Sequence, residues 1–301
     1  MDTSVELVRH LLQSIVYIHT TVSREHPSTK ILGNERLGSG VVVDSSGLIL
    51  TVNYVVMGGQ SLSVAFQKGR RAKAELVAQD FEVGLALIKV NRQGLIAAEV
   101  GTGELVERSE EVVLLGAKQP QERCATSGFV TYVGEFEAYW EYMLERGIIS
   151  TAPNPGFGGG PLFTLAGTMV GVVSLNLNEI IRSSLAIPIE CFASYRDELL
   201  RHGRVVSRPQ RAWLGVFAHP LDEGVVVAGL VPNGPGARCG VQEGDVIVGL
   251  DSREVPTLKE LYLTLWRHSP GEKISIEVLR DNELRVVNVV GGDRAEFYKQ
   301  A

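Results

Sequence analysis

From about Ile15 to Pro188 the chain is a succession of short apolar, β-branched runs: Val41–Val43, Ile49–Val52, Leu62–Phe66, Ala72–Gln79, Leu85–Val90, Val112–Leu115, Ser127–Val133 and Thr168–Leu175. Turns rich in Gly, Asn, Asp and Ser separate them, a pattern that predicts an all-β barrel or sandwich. Two stretches depart from this rhythm before residue 203. Leu7, Val8, Leu11, Leu12, Ile15 and Val16 recur at helical spacing, so Val5–Tyr17 is predicted to be an amphipathic helix leading into a strand. After Pro188 a helix is predicted over Ile189–Arg201, stopped by His202-Gly203 with glycine just past its end. Arg204–Arg211, with Pro209, has the composition of a linker. Further on, Thr257 and Glu260 form a capping box. They open a helix whose stripe is Leu258, Leu261, Tyr262, Leu265 and Trp266, closed by Ser269-Pro270-Gly271.

Composition narrows the classes. With 301 residues, 45% of them hydrophobic, the chain has material for two or three cores, and it contains no apolar run of membrane-spanning length. A net charge of −6, from 29 basic and 35 acidic residues without long blocks, gives no electrostatic reason for a nucleic-acid or anionic-membrane partner. Cys124, Cys191 and Cys239 are widely separated and odd in number, which suggests neither a disulfide framework nor a metal cluster. His10 and His19 are not spaced as metal ligands, and no cofactor is expected. Met1-Asp2-Thr3-Ser4 does not open a signal peptide. The expected compartment is therefore the cytoplasm for the chain as it stands, and the periplasm if an N-terminal segment was removed.

Three motifs carry a resemblance. Asn154-Pro155-Gly156-Phe157-Gly158-Gly159-Gly160-Pro161-Leu162 is a run of small residues whose amides can converge on an oxyanion. Gly38-Ser39-Gly40-Val41 leads through Asp44 and Gly47 to Leu50-Thr51-Val52-Asn53-Tyr54-Val55-Val56, and Asp80 leads to Gly84-Leu85-Ala86-Leu87-Ile88-Lys89-Val90. Together with Thr126–Val130 and Leu185–Pro188 these segments resemble the HtrA/Deg family of trypsin-like serine proteases over most of residues 11 to 200. The resemblance implies two six-stranded barrels with the site in the cleft between them. It also aligns the catalytic His, Asp and Ser of the family with Tyr54, Gly84 and Gly158. A phenol with a reference pKa of about 10 is a poor general base at neutral pH, and glycine supplies neither nucleophile nor carboxylate. The expectation from these residues is a pseudoenzyme with no catalytic residues. Phe157 beside the vacant position either fills part of the cleft or packs on Tyr54.

The C-terminal third resembles a PDZ domain. Arg211-Ala212-Trp213-Leu214-Gly215-Val216 matches its carboxylate-binding loop, and Gly244-Asp245-Val246-Ile247 its signature in context. Such domains add an extended peptide as a strand beside a helix. The resemblance therefore places Trp213, Leu214, Gly215, Val216 and Phe217 at the peptide's carboxylate and backbone, and Leu258, Leu261, Tyr262 and Leu265 in its side-chain pocket or in the core. The expected fold class is mostly β, a trypsin-like double barrel followed by a smaller α+β domain. The expected divisions are residues 1–203, a linker 204–210, and 211–296. Expected partners are peptide or unfolded-protein C-termini, further copies of the chain (a trimer by resemblance, contacted by the N-terminal arm) and an active paralogue. The corresponding functions are adaptor, scaffold or chaperone, regulatory subunit of that paralogue, or residual serine endopeptidase. The excursion from Gly134 to Thr151 is acidic and aromatic, with Glu135, Phe136, Glu137, Tyr139, Trp140, Glu141, Tyr142 and Glu145. Either it is a solvated helical segment packed on the barrel through Tyr139, Tyr142 and Met143, or it is an exposed partner-binding surface. The segment Asn176–Ser184 is the other loop expected to shape a pocket.

Overall fold

The computed structural model describes residues 3–101, 106–154, 158–177, 183–222 and 224–299. Phe157 and residues 178–182 of the second pocket loop lie outside the described residues. The chain forms two compact units, Met1–Glu135 with Leu144–Val206, and Phe136–Met143 with Ser207–Ala301.

The first unit holds two closed six-stranded barrels. In the first, strands β1 (Ile15–Val22), β2 (Glu35–Asp44), β3 (Leu48–Val52), β4 (Gly59–Ala65), β5 (Arg71–Asp80) and β6 (Leu85–Val90) run in the order β1-β2-β3-β6-β5-β4. Closure is made by β1, where Tyr17 is opposite Ser39 on one side and Ala65 on the other. Closing the sheet removes its free edges, so every strand finds a ladder partner. The second barrel contains β7 (Glu111–Gln119), β8 (Glu122–Ala138), β9 (Tyr142–Ser150), β10 (Pro161–Thr164), β11 (Met169–Asn176) and β12 (Ser184–Pro188) in the order β10-β11-β12-β9-β8-β7. Val112, Leu114, Val130, Ile148, Leu162, Val170 and Ala186 fill it.

Helix extents differ from the sequence expectation. The N-terminal helix stops at Leu11, followed by a single 3-10 turn, Leu12–Ser14, because Ile15 already pairs with Val41 in the barrel. The helix expected over Ile189–Arg201 is two short pieces, Glu190–Ala193 and Arg196–His202, the second ended by Gly203 in the left-handed region. The excursion after Gly134 is not helical. Strand β8 runs on to Ala138 and β9 begins at Tyr142.

The second unit is built on a sheet of β13 (Val216–Pro220), β14 (Val225–Leu230), β15 (Val246–Leu250), β17 (Lys273–Arg280) and β18 (Glu283–Val290), with β16 (Arg253–Glu254) paired to β15. The helix Leu258–Leu265 begins on Thr257, whose Oγ1 accepts the Glu260 amide at 3.2 Å. Its Leu258, Leu261, Tyr262 and Leu265 pack into a core with Leu214, Val216, Ala218, Ile247 and Ile276. The Gly-Asp-Val-Ile signature has a structural use here. Asp245, with a side chain fully shielded from solvent, takes a two-pronged ion pair from Arg280 at 2.6 and 2.7 Å and the Gln242 amide at 2.8 Å. Burial alone would raise its carboxyl, but Arg280 and that amide outweigh burial and hold it below the usual carboxylate range.

Candidate functional site

The three aligned positions of the first unit come together in part. Tyr54 sits on the helical turn Asn53–Val56, which the buried Arg36 holds by donating to the carbonyls of Tyr54 (3.0 Å) and Met57 (2.7 Å). The phenol crosses to the other barrel and donates to the Ser174 carbonyl at 2.7 Å. Burial pushes its pKa up to about 12, so it stays protonated and acts as a donor at neutral pH. Gly158 lies beside it: a Cβ added there would be 2.0 Å from Tyr54 Oη. The Gly158 carbonyl in turn accepts the Ser39 amide of the first barrel at 2.8 Å. Gly84 accepts the Asn53 amide on its carbonyl at 2.7 Å and has φ +83°, a backbone region unfavourable to side-chain-bearing residues.

The groove of the second unit is a different kind of site. Gly215, at φ +77°, bends the loop so that three successive amides face one point, a turn that a residue with a Cβ would strain. At that point lies a carboxylate, the side chain of Glu141. Leu214 N–H donates to Oε2 at 3.0 Å, and Gly215 and Val216 N–H donate to Oε1 at 2.6 and 2.8 Å. Glu141 belongs to Phe136–Met143, the part of the excursion that is counted with the second unit. Two residues earlier in the chain, the Tyr139 carbonyl accepts the Ala218 amide of β13 at 2.7 Å. Tyr262 Oη accepts the Glu141 amide at 3.0 Å and donates to the Ala138 carbonyl at 2.5 Å. Arg294 donates to the carbonyls of Trp140 and Glu141 at 2.5 and 3.1 Å. The Tyr139 ring stacks on His219 at 4.9 Å and meets Phe217 at 6.0 Å. Burial pushes the Glu141 carboxyl upward, while Arg294 and the three amides pull against that rise.

Among the residues singled out from sequence, Leu214, Gly215 and Val216 meet at the carboxylate. Phe217 follows on β13 and Tyr262 stands across the groove. Trp213 does not face it: its amide and carbonyl pair with Gly292 at 3.0 and 2.9 Å, and its ring packs on Phe297 and Tyr298. Leu258, Leu261 and Leu265 are buried in the core. Sequence reasoning missed Glu141, Arg294 and His219. The signal for Glu141 was its place between Trp140 and Tyr142, an acid within an apolar run. Met143, expected to pack on the barrel, packs against the core of the second unit instead, and Tyr139 lies on His219 and Phe217.

Residues 38–172 match the trypsin-like peptidase domain family and residues 212–290 the PDZ domain family. The HtrA-type protease AlgW solved with a tripeptide superposes at a TM-score of 0.60, with 27% identity and 97% of each chain covered. The chain is a trypsin-like peptidase domain followed by a PDZ domain, and it is similar to HtrA-type proteases. A probable periplasmic serine endoprotease, DegP-like, from Halomonas elongata is 32% identical over 286 residues, 88% of this chain and 58% of that protein. The serine endoprotease DegS of Haemophilus influenzae is 28% identical over 283 residues, 89% of this chain and 82% of that one. The chain thus spans little more than half the length of its DegP-like relatives. These relatives overturn one expectation. They are named serine endoproteases, so the reading of this chain as a non-enzyme, drawn from Tyr54, Gly84 and Gly158, does not stand. Among the described residues no group of His, Cys, Asp or Glu could hold a metal ion, and no helix is long and apolar enough to cross a membrane.

Proposed function

We propose that this chain recognises peptide or protein C-termini in its PDZ groove. The terminal carboxylate would rest on the amides of Leu214, Gly215 and Val216, and the peptide backbone would lie along β13. The observation that carries the reading is that those amides already converge on a carboxylate at 2.6 to 3.0 Å. Charge-assisted hydrogen bonds of this length are among the stronger polar contacts in proteins, and backbone amides supply them whatever the peptide's side chains. The HtrA-type protease AlgW, to which the chain is similar, was solved with a tripeptide and with a decapeptide, which supports the same reading. HtrA homologues are oligomeric, and a homo-oligomer is the assembly proposed for this chain. Its proposed divisions are residues 1–203 and 211–296 with the linker 204–210.

A library of peptides with free C-termini, each paired with its C-terminal amide, tests the reading on the full chain up to millimolar concentration. Binding by free carboxylates that fails for the amides supports it. Equal binding of the two forms overturns it.

A further inference from the structure

We propose that residues Ala138–Glu141 are a built-in ligand of the PDZ groove, with the Glu141 side chain imitating a terminal carboxylate, so that a foreign C-terminus binds only by displacing them. The inference rests on the peptide-recognition reading and adds to it the regulation of that site.

Three features separate this arrangement from ordinary loop packing. First, the carboxylate is held by three successive amides of the loop, Leu214, Gly215 and Val216, and Glu141 as a whole is only 3% exposed. Second, the backbone follows the rule for strand addition. The Tyr139 carbonyl, two residues before the carboxylate, takes the Ala218 amide, two residues beyond Val216. A peptide added to β13 would need both contacts, so it cannot share the groove with the segment. Third, the segment is clamped from the helix side by Tyr262 and from the C-terminal side by Arg294, through backbone atoms that any extended chain possesses.

The arrangement is also one that a competitor can undo. Glu141 is a non-glycine residue at φ +54°, a strained backbone that persists only while its surroundings enforce it. Its burial costs the desolvation of a charge, which the three amides and Arg294 offset. Removing the segment exposes the same donors for a peptide that brings its own carboxylate without the positive φ.

The affinity of a foreign peptide is lowered by the fraction of molecules whose groove is open. The test uses full-length protein and fluorescein-labelled peptides copying Glu135–Trp140 and ending in a free Val, Leu or Phe, with their amides as controls. Glu141→Ala is expected to bind the free-carboxylate peptides at least tenfold more tightly than the unaltered chain. Arg294→Gln, which loosens the segment without touching the loop amides, is expected to shift affinity in the same direction and carries the test if Glu141→Ala melts early. Equal affinity in all three proteins overturns the built-in ligand and leaves C-terminal recognition standing. No carboxylate-dependent binding by either folded variant overturns both.

Discussion

At the scale of single residues, the two sites differ in what they ask of a side chain. The peptidase-domain position is defined by space. A Cβ at Gly158 would be 2.0 Å from Tyr54 Oη, so Gly158→Ala is expected to cost about 2 kcal/mol, within the range for overpacking. In a variant that also carries Tyr54→His the penalty should shrink, and additive melting shifts in the double variant would refute the coupling. The groove position is defined by charge and stacking. Tyr139 lies on His219 and near Phe217, so a competing peptide is expected to prefer an aromatic residue two places before its terminus. Replacing that residue by Ala should weaken titrated binding several-fold to the unaltered chain, and less to His219→Ala.

The element scale shows what sequence could and could not deliver. The strands were legible because each is a local run whose alternation is fixed by which face is buried, and the helix Leu258–Leu265 because its cap and stripe are local too. Thr257→Ala should cost about 1 kcal/mol, read by chemical denaturation, since it removes the acceptor of the Glu260 amide. The carboxylate loop was legible for the same reason: Gly215 marks a turn within four residues of its partners. Its occupant was not. Glu141 meets the loop across a sequence separation of 73 to 75 residues, and neither segment bears a local trace of the other. The alternating acids Glu135, Glu137 and Glu141 look like one solvated face, whereas only Glu141 among them is buried. Hydrogen exchange reports this element directly. The amides of Gly215, Val216 and Ala218 should be protected in the unliganded chain and become faster in Glu141→Ala.

For the whole molecule, acid sensitivity can be traced to a named carboxylate in the second unit. In the second unit the shielded Asp245 carboxylate takes Arg280, which reaches it from the surface, and the carboxyl is held below its ordinary value. A group lowered on folding contributes stability that is complete above the ordinary carboxylate range and is lost as pH falls through the folded value. Calorimetry should therefore show the second unit weakening below about pH 4, the reference range for Asp. Asp245→Asn should lower the melting temperature at neutral pH, because it removes the carboxylate that takes Arg280 and the Gln242 amide. It should also flatten the acid dependence. Sequence foresaw this organisation, barrels first and PDZ domain second, because each domain carries its own motifs. It did not foresee that Phe136–Met143, flanked on both sides by strands of the second barrel, is counted with the other unit. A contiguous reading assigns residues by order along the chain, and here packing does not follow order.

That interleaving has a consequence for dosage. Ala138 and Tyr142 are the ends of β8 and β9, so the imitation carboxylate is leashed at both sides and cannot diffuse away. Short tethers give a bound partner an effective concentration on the order of millimolar, which no dilution of the protein changes. The leash acts as a threshold: stray C-termini at low abundance leave the groove as it is, and only those that are abundant, tightly held or presented in multiple copies replace its resident.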